Sequence, residues 1–233
     1  MKILLIADIH GNLPAMQAVI AETRAVDKIL CLGDIAGYFP FLNEVIETLS
    51  SMNNIICIKG NHDHVLLNEN LSTGSFSADI AISMQKADIT DINKRFLTNL
   101  PETVETIIDG RKFLLLHGSL KDPLNGRDSF WENEVLREGI YLFGHSHKPF
   151  FCESHVQEWM VINPGSCGLP RDGDSRASFA IFDTVKWKVS FHKVVYSINE
   201  VAKRCREVGL PENFWKSLES GEWVMATNKG GDS

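Results

Sequence analysis

The chain has 233 residues, 44% hydrophobic and 23% charged, with a formal charge of −7. That length suits one large domain with a substantial core, and the composition is that of a globular protein without a run long enough to span a membrane. The acidic balance argues against a surface that neutralises the phosphates of a long nucleic acid, and against an anionic-membrane binder. Five cysteines with no C-x-x-C pair point to a reducing compartment and no disulfide frame. The five-residue apolar run before Asp8 is too short for a signal peptide. Together these features predict a cytoplasmic protein.

In chain order, "KILLIA" predicts a buried strand. "LPAMQAVIAETR" places Leu13, Met16 and Ile20 on one helical face, with Asn12 positioned to cap it. "KILCLG" is a second strand and "FLNEVIETLSSM" a second helix with a Leu42, Val45, Ile46, Leu49 and Met52 stripe. "NIICIKG" is a third strand. This alternation predicts βαβ units and a largely parallel sheet. Residues 75 to 100 read as two helical pieces, the second capped by Thr90. "KFLLLHG" and "IYLFGHSH" are strands separated by a polar connection at 119–138. "EWMVINPGS", "ASFAIFD" and "WKVSFHKVVY" are further strands. Ser197 and Glu200 fit a capping box opening a helix, and "PENFWKSLESG" predicts a last one. The expected organisation is a single domain over 1–225 with a disordered tail at 226–233.

Five strand-like runs end in the same kind of residue. "KILLIA" runs into Asp8 and His10, "KILCLG" into Asp34, and "NIICIKG" into Asn61, His62 and Asp63. "KFLLL" ends at His117, and "IYLFG" at His145 and His147. The carboxyl ends of strands in an α/β sheet share one edge, where ligands bind. Five of the eight histidines fall in this set. Carboxylate, imidazole and amide oxygen without thiolate suit Mn, Fe, Zn or Co. Asp8 and His10 lie two apart, as do His145 and His147. In an extended segment that spacing points both side chains to one side. The candidates outnumber the ligands of one tetrahedral ion, and a two-metal site with ions roughly 3.5–4 Å apart would use them all. Such a centre keeps net positive charge after Asp8 and Asp34 are counted, which suits a phosphate-bearing substrate.

The ordered set "DIH" at 8–10, "GD" at 33–34, "GNHD" at 60–63, "HG" at 117–118 and "GHSH" at 144–147 resembles the calcineurin-like metallophosphoesterase superfamily. "NPGS" at 163–166 and "CGLPRDGDSRAS" after it resemble its small bacterial and archaeal phosphodiesterase-like branch, whose members include enzymes of dinucleoside polyphosphates. The resemblance implies a two-sheet α/β sandwich flanked by helices. It also implies two divalent metals, the first on Asp8, His10, Asp34 and His147, and the second on Asp34, Asn61, His117 and His145. It makes His62 the residue that faces the phosphate, stabilising the transition state or protonating the leaving oxygen. Asp63 is expected to orient His62 through its other ring nitrogen. A metal-bridging hydroxide is the expected nucleophile. "GDIAGY" departs from the protein-phosphatase pattern "GD-x-V-D-R-G", and Ser146 replaces a usual Thr.

Arg171 and Asn12 are the expected substrate-binding residues, Arg171 as a phosphate fork; Arg176 reads as its rival or as surface charge. "NPGS" reads either as a turn or as a segment in which Asn163 and Ser166 shape the metal edge. Tyr38 reads either as packing or as facing a substrate base. His64, His155 and His192 carry no motif support. The function these observations predict is metal-dependent hydrolysis of a phosphodiester or phosphoanhydride in a small phosphorylated substrate, a nucleotide among the candidates. The alternatives are a phosphomonoesterase or protein phosphatase, or a non-catalytic scaffold of the same fold.

Overall fold

The computed structural model describes residues 1–126 and 136–222. The expected tail at 226–233 and part of the 119–138 connection lie outside the described residues. In chain order the elements are β1 (Lys2–Ile6), α1 (Leu13–Glu22), β2 (Lys28–Cys31), α2 (Leu42–Ser50), β3 (Ile55–Cys57), α3 (Asn61–Leu67), α4 (Phe76–Asp88) and α5 (Asp91–Asn99). There follow β4 (Val104–Ile108), β5 (Arg111–Leu115), β6 (Gly139–Leu142), β7 (Pro149–Ser154), β8 (Trp159–Pro164), β9 (Ala177–Asp183), β10 (Lys188–Val194), α6 (Ile198–Glu207) and α7 (Asn213–Ser220).

The strands form two five-stranded mixed sheets, ordered β10-β9-β1-β2-β3 and β4-β5-β6-β8-β7. β1, β2 and β3 are parallel, with α1 and α2 as their crossovers, while β9 runs antiparallel to β1. In the second sheet β5, β6 and β8 are parallel, with antiparallel β4 and β7 at its edges. The two-fold period of a strand sends alternate side chains to opposite faces. Ile3, Leu5 and Ala7 therefore meet Phe113, Leu115, Ile140, Leu142 and Ile162 between the sheets. Leu4 and Ile6 turn the other way, onto Ala15, Met16 and Val19 of α1 and the stripe Leu42, Val45, Ile46 and Leu49 of α2. A third cluster joins Tyr38 and Phe39 to α4, α6 and α7. The architecture is the helix-flanked two-sheet sandwich expected from the sequence.

The expected caps form. Asn12 accepts from Ala15 N at 3.2 Å, Thr90 from Asn93 N at 3.3 Å and Ser197 from Glu200 N at 3.3 Å. Three elements went unread. β4 pairs with β5 through Asp109-Gly110, both at positive φ (49° and 78°), a two-residue hairpin turn. β7 opens on Pro149, which an edge strand tolerates at its first residue. α3 starts at Asn61, so Asn61, His62 and Asp63 form the first turn of a helix.

The parallel strands point the same way, and their carboxyl ends meet at one edge of the sandwich. Phe113 and Phe182 pack edge to face at 5.8 Å in the core between the sheets. Replacing Phe182, fully buried, by Ala is expected to lower the unfolding free energy by about 3–5 kcal/mol. Urea denaturation should show this as a shifted midpoint with an unchanged slope.

Candidate metal centre

At the strand ends the chain leaves the sheet through backbone conformations that L-residues avoid. Asp8 (φ 53°), His10 (52°), Asp34 (53°), His145 (66°) and His147 (61°) all lie in the left-handed region. The paired residues therefore converge without being extended, contrary to the expectation from their spacing. Each such residue costs about 1–3 kcal/mol and persists only where its surroundings over-determine it. Here they do. Asp8 N donates to Gly33 O, His10 N to Asp34 O and Gly11 N to Ile35 O, zipping the two loops together. Cys167 N donates to Ala7 O, and Gly168 N and Ser166 Oγ both donate to Asp8 O. Asn163 Nδ2 donates to Gly144 O at 2.7 Å and to Ser146 Oγ at 3.0 Å, holding the loop that carries His145 and His147. "NPGS" is thus more than a turn, since Asn163 and Ser166 clamp the backbone under three of the candidate ligands. Two glycines make room for the ligands. A Cβ on Gly60 would sit 2.2 Å from Asp34 Oδ1, and one on Gly37 would sit 2.2 Å from His10 Nδ1.

The side chains converge, and two of the imidazoles present lone pairs to each other. His10 Nδ1 lies 2.9 Å from Ala36 O, and His147 Nδ1 2.6 Å from Leu169 O. A carbonyl accepts, so both Nδ1 atoms carry the proton and both Nε2 atoms present lone pairs. Those two Nε2 atoms face each other at 3.1 Å. Burial holds both imidazoles well below their ordinary pKa, so a second proton does not relieve the contact. His117 Nδ1 likewise meets Leu32 O at 2.7 Å. Its Nε2 then faces Asn61 Oδ1 at 3.1 Å and Asp34 Oδ2 at 3.3 Å. His145 Nδ1 lies 3.1 Å from the same Asn61 oxygen. Asp34 is central: its Oδ2 is 3.7 Å from His10 Nε2 and 3.3 Å from His117 Nε2. Three overlapping groups could each hold a cation: Asp8, His10 and His147; His10, Asp34 and His62; and Asp8, Asp34 and His117. Asn61 adds its oxygen beside His117 and His145.

The charges tell the same story. Burial pushes the Asp8 carboxyl up to about 7, with Asp34 adding to the shift. Burial also opposes ionisation of Asp34, but His117 and His62 outweigh it and hold its carboxyl well below the ordinary range. His117, despite its burial, is pushed up to about 9 by Asp34 and Asp8. The pocket calls for positive charge among its oxygens. Asp8 Oδ2 is buried without a hydrogen-bond partner among the described residues. An orphaned carboxylate oxygen and two opposed imidazole lone pairs fit a divalent cation, and the donor set is oxygen and nitrogen throughout.

The remaining predicted residues divide. His62, the second residue of α3, donates its backbone N–H to Asp34 Oδ1 at 2.9 Å, and its Nε2 lies 3.9 Å from Asp34 Oδ2. Asp63 does not orient it. The Asp63 carboxylate accepts from Ile35 N, Ala36 N and Gly60 N, tying the "GDIA" loop to the start of α3. His62 Nδ1 has no hydrogen-bond partner among the described residues. Helical geometry explains the correction: at the third residue of α3, a carboxylate reaches back to orphan N–H groups at the helix start. Asn12 does not face substrate either. It is fully buried, its oxygen caps α1, and its Nδ2 donates to Gly168 O and Tyr196 Oη. Arg171 lines a cleft of about 370 Å³ with Asp34, Asn61, His62, His145 and His147. Arg176 instead forms an ion pair with Asp174 at 2.6 Å. Thr73, Gly74 and Ser75, which carried no motif, form the far wall of that cleft. Their one sequence signal is Ser75 as a helix cap. His64, His155 and His192 pair with Glu102, Glu153 and Ser190, away from the cluster.

Residues 1–186 match the family model of the calcineurin-like phosphoesterase superfamily domain. An uncharacterized protein of Methanocaldococcus jannaschii is 35% identical over 243 residues, covering 94% of this chain and 98% of that protein. The crystal structure of a metallophosphoesterase from Sphaerobacter thermophilus superposes with a TM-score of 0.81 at 30% identity, over 95% of this chain and 99% of that one. A hypothetical protein from Pyrococcus horikoshii OT3 shares the fold, with a TM-score of 0.80 at 22% identity, over 96% and 99% of the two chains.

If Asn163 positions the ligands of the "GHSH" loop, Asn163→Ala should weaken divalent-metal binding about 10–100-fold. Chelator competition would measure this, with circular dichroism confirming that the sheets remain.

Proposed function

Because this chain belongs to the calcineurin-like phosphoesterase superfamily, we propose that its cluster holds two divalent cations and that it hydrolyses a phosphodiester or phosphoanhydride bond in a small phosphorylated substrate. The observation that carries this reading is the opposition of His10 Nε2 and His147 Nε2 at 3.1 Å beside an unpartnered carboxylate oxygen of Asp8. A protein gains nothing from gathering lone pairs unless a cation shares them. Asp8, His10, Asp34 and His147 would hold one cation, and Asp34, Asn61, His117 and His145 the other. Bound there, divalent cations polarise a phosphoryl oxygen and lower the pKa of water toward neutrality.

The other tasks fall to the chain itself. Asp34 sits between the two ligand groups, so its carboxylate fixes their separation. Ala36 O, Leu169 O and Leu32 O lock the tautomers of His10, His147 and His117, so that no ring must flip before a ligand is available. Burial lowers the pKa of His62, which makes it a neutral imidazole near neutral pH. A neutral ring carries one N–H, and Nε2 is the nitrogen on the side of the cluster. There it donates to charge developing on the leaving oxygen, an electrostatic role. The cleft, about 370 Å³, is at the small end of ligand sites, which run to ~300–1,000 Å³. That size favours small molecules over polymers.

Elemental analysis of the chain reconstituted with Mn²⁺ should find close to two ions per chain, and one would contradict the dinuclear reading. His62→Ala should lower kcat on an aryl phosphodiester by about 10²–10³-fold. Bound metal should stay at the wild-type level. Asp34→Asn should lower both, because its carboxylate serves both ligand groups.

A further inference from the structure

α4 turns one face inward, where Ala78, Ala81, Ile82 and Gln85 are buried at the spacing of a helical stripe. Gln85 is the odd member, an amide 5% exposed beside apolar neighbours. A buried amide costs free energy unless its oxygen and its nitrogen both find partners. Both do, and both partners belong to one short arc of backbone. Gln85 Oε1 accepts from Gly37 N at 2.9 Å, and Gln85 Nε2 donates to Phe39 O at 2.8 Å. A leucine would cover the same surface, so the amide answers to the arc and not to the core.

That arc is the backing of His10. Ala36 O accepts from His10 Nδ1 at 2.9 Å, and Phe39 N donates to His10 O at 2.8 Å. Tyr38 meets the imidazole edge-on at 5.0 Å. Residues 36–39 thus grip His10 by ring and by backbone. The other two rings locked by carbonyls have their partners elsewhere, His117 on Leu32 O and His147 on Leu169 O. Three successive N–H groups of the loop after β2 are tied down from outside it. Asp63 of α3 takes those of Ile35 and Ala36, and Gln85 of α4 takes that of Gly37. Gly11 leaves room for the second tie, since a Cβ there would stand 2.2 Å from Phe39 O and 3.1 Å from Gln85 Nε2.

We propose that Gln85 is a positioning residue for His10: its amide holds the 36–39 arc, the arc aims the imidazole, and the aim sets the affinity of the cation that His10 would bind. This rests on the two-cation reading above and adds to it a residue outside the ligand set that acts on one cation and not on the other. A ligand imidazole depends on the group bonded to its second nitrogen, and losing such support costs about 10–100-fold in metal affinity. Gln85 stands one step further back, behind the carbonyl that fixes the ring.

The test compares the full-length wild type with Gln85→Leu, Gln85→Glu and Ile82→Ala. Gln85→Leu keeps the bulk and removes both hydrogen bonds. Gln85→Glu keeps the acceptor for Gly37 N and removes the donor to Phe39 O, and it serves if the leucine variant does not fold. Ile82→Ala removes apolar packing from the same face of α4 and no hydrogen bond to the arc. NMR of the metal-free chain with ¹⁵N-labelled histidine follows solvent exchange of the Nδ1 protons of His10, His117 and His147. Gln85→Leu should speed exchange at His10 about tenfold or more, as local opening replaces a held arc, and leave the other two rings unchanged. Gln85→Glu should move the same proton in the same direction. Calorimetric titration with Mn²⁺ should show one binding step weakened about 10–100-fold and the other kept. Ile82→Ala should do neither. Equal acceleration at all three rings, or the same response from Ile82→Ala, would make Gln85 a general stabiliser of the fold and overturn the proposal. An unchanged His10 proton would overturn it as well, and so would a loosened His10 with both binding steps intact. A wild type that takes up fewer than two ions would sink the two-cation reading, and exchange at His10 alone would then decide whether Gln85 positions the ring.

Discussion

Two imidazole nitrogens that face each other with their lone pairs, next to carboxylates that water does not reach, set the terms for the rest of this molecule. His10 and His147 are buried and 3.1 Å apart at Nε2. Such a contact is unfavourable in an apoprotein and favourable around a cation. The fold must therefore hold the groups together by means independent of the groups themselves. It does so with backbone hydrogen bonds between loops, with carbonyls that fix each ring, and with the "NPGS" clamp that joins β8 to the end of β1. None of these depends on the charge of a ligand.

The division of labour between the sheets follows from this. Asp8, His10, Asp34 and Asn61 leave the parallel strands of the first sheet, and His117, His145 and His147 those of the second. Neither sheet has a complete ligand set. The cluster exists only while the two sheets are packed face to face, with Ala7, Leu32 and Ile58 forming part of the apolar layer beneath it. Hydrophobic burial between the sheets is the term that brings the halves together, and it also balances the strain of five left-handed residues. Stability and site geometry are thus coupled: the candidate ligands of the two sheets meet only where the sheets pack against each other.

Much of this was legible in the sequence, and the part that was not has a physical explanation. Strand ends are readable because apolar runs stop abruptly, and a sheet topology that puts those ends at one edge follows from strand–helix alternation. On that basis Asp8, His10, Asp34, Asn61, His62, His117, His145 and His147 were expected to converge, and the resemblance set His62 apart from the candidate ligands. What periodicity does not encode is the backbone conformation at single residues, so the left-handed loops were invisible. Nor does it say whether a polar side chain turns outward or inward. Asn12 and Asp63 stand beside the motifs and are chemically suited to a site, yet both are consumed by helix starts. A helix N-terminus and a ligand site want the same residue types, and only coordinates separate them. The Asp109-Gly110 turn was a missed signal, since an Asp-Gly pair between apolar-rich segments predicts the β4–β5 hairpin.

The corrected role of Asp63 changes how the site is understood. A carboxylate on His62 would have made that ring more basic and suited it to full proton transfer. With its carboxylate spent on Ile35, Ala36 and Gly60, Asp63 instead fixes the backbone on which both Asp34 and His62 stand. His62 keeps a low pKa because it is buried, among other imidazoles and near Arg171. A neutral donor is enough when the leaving group is already a good one, and a phosphate leaving from an anhydride is far less basic than an alkoxide leaving from an ester.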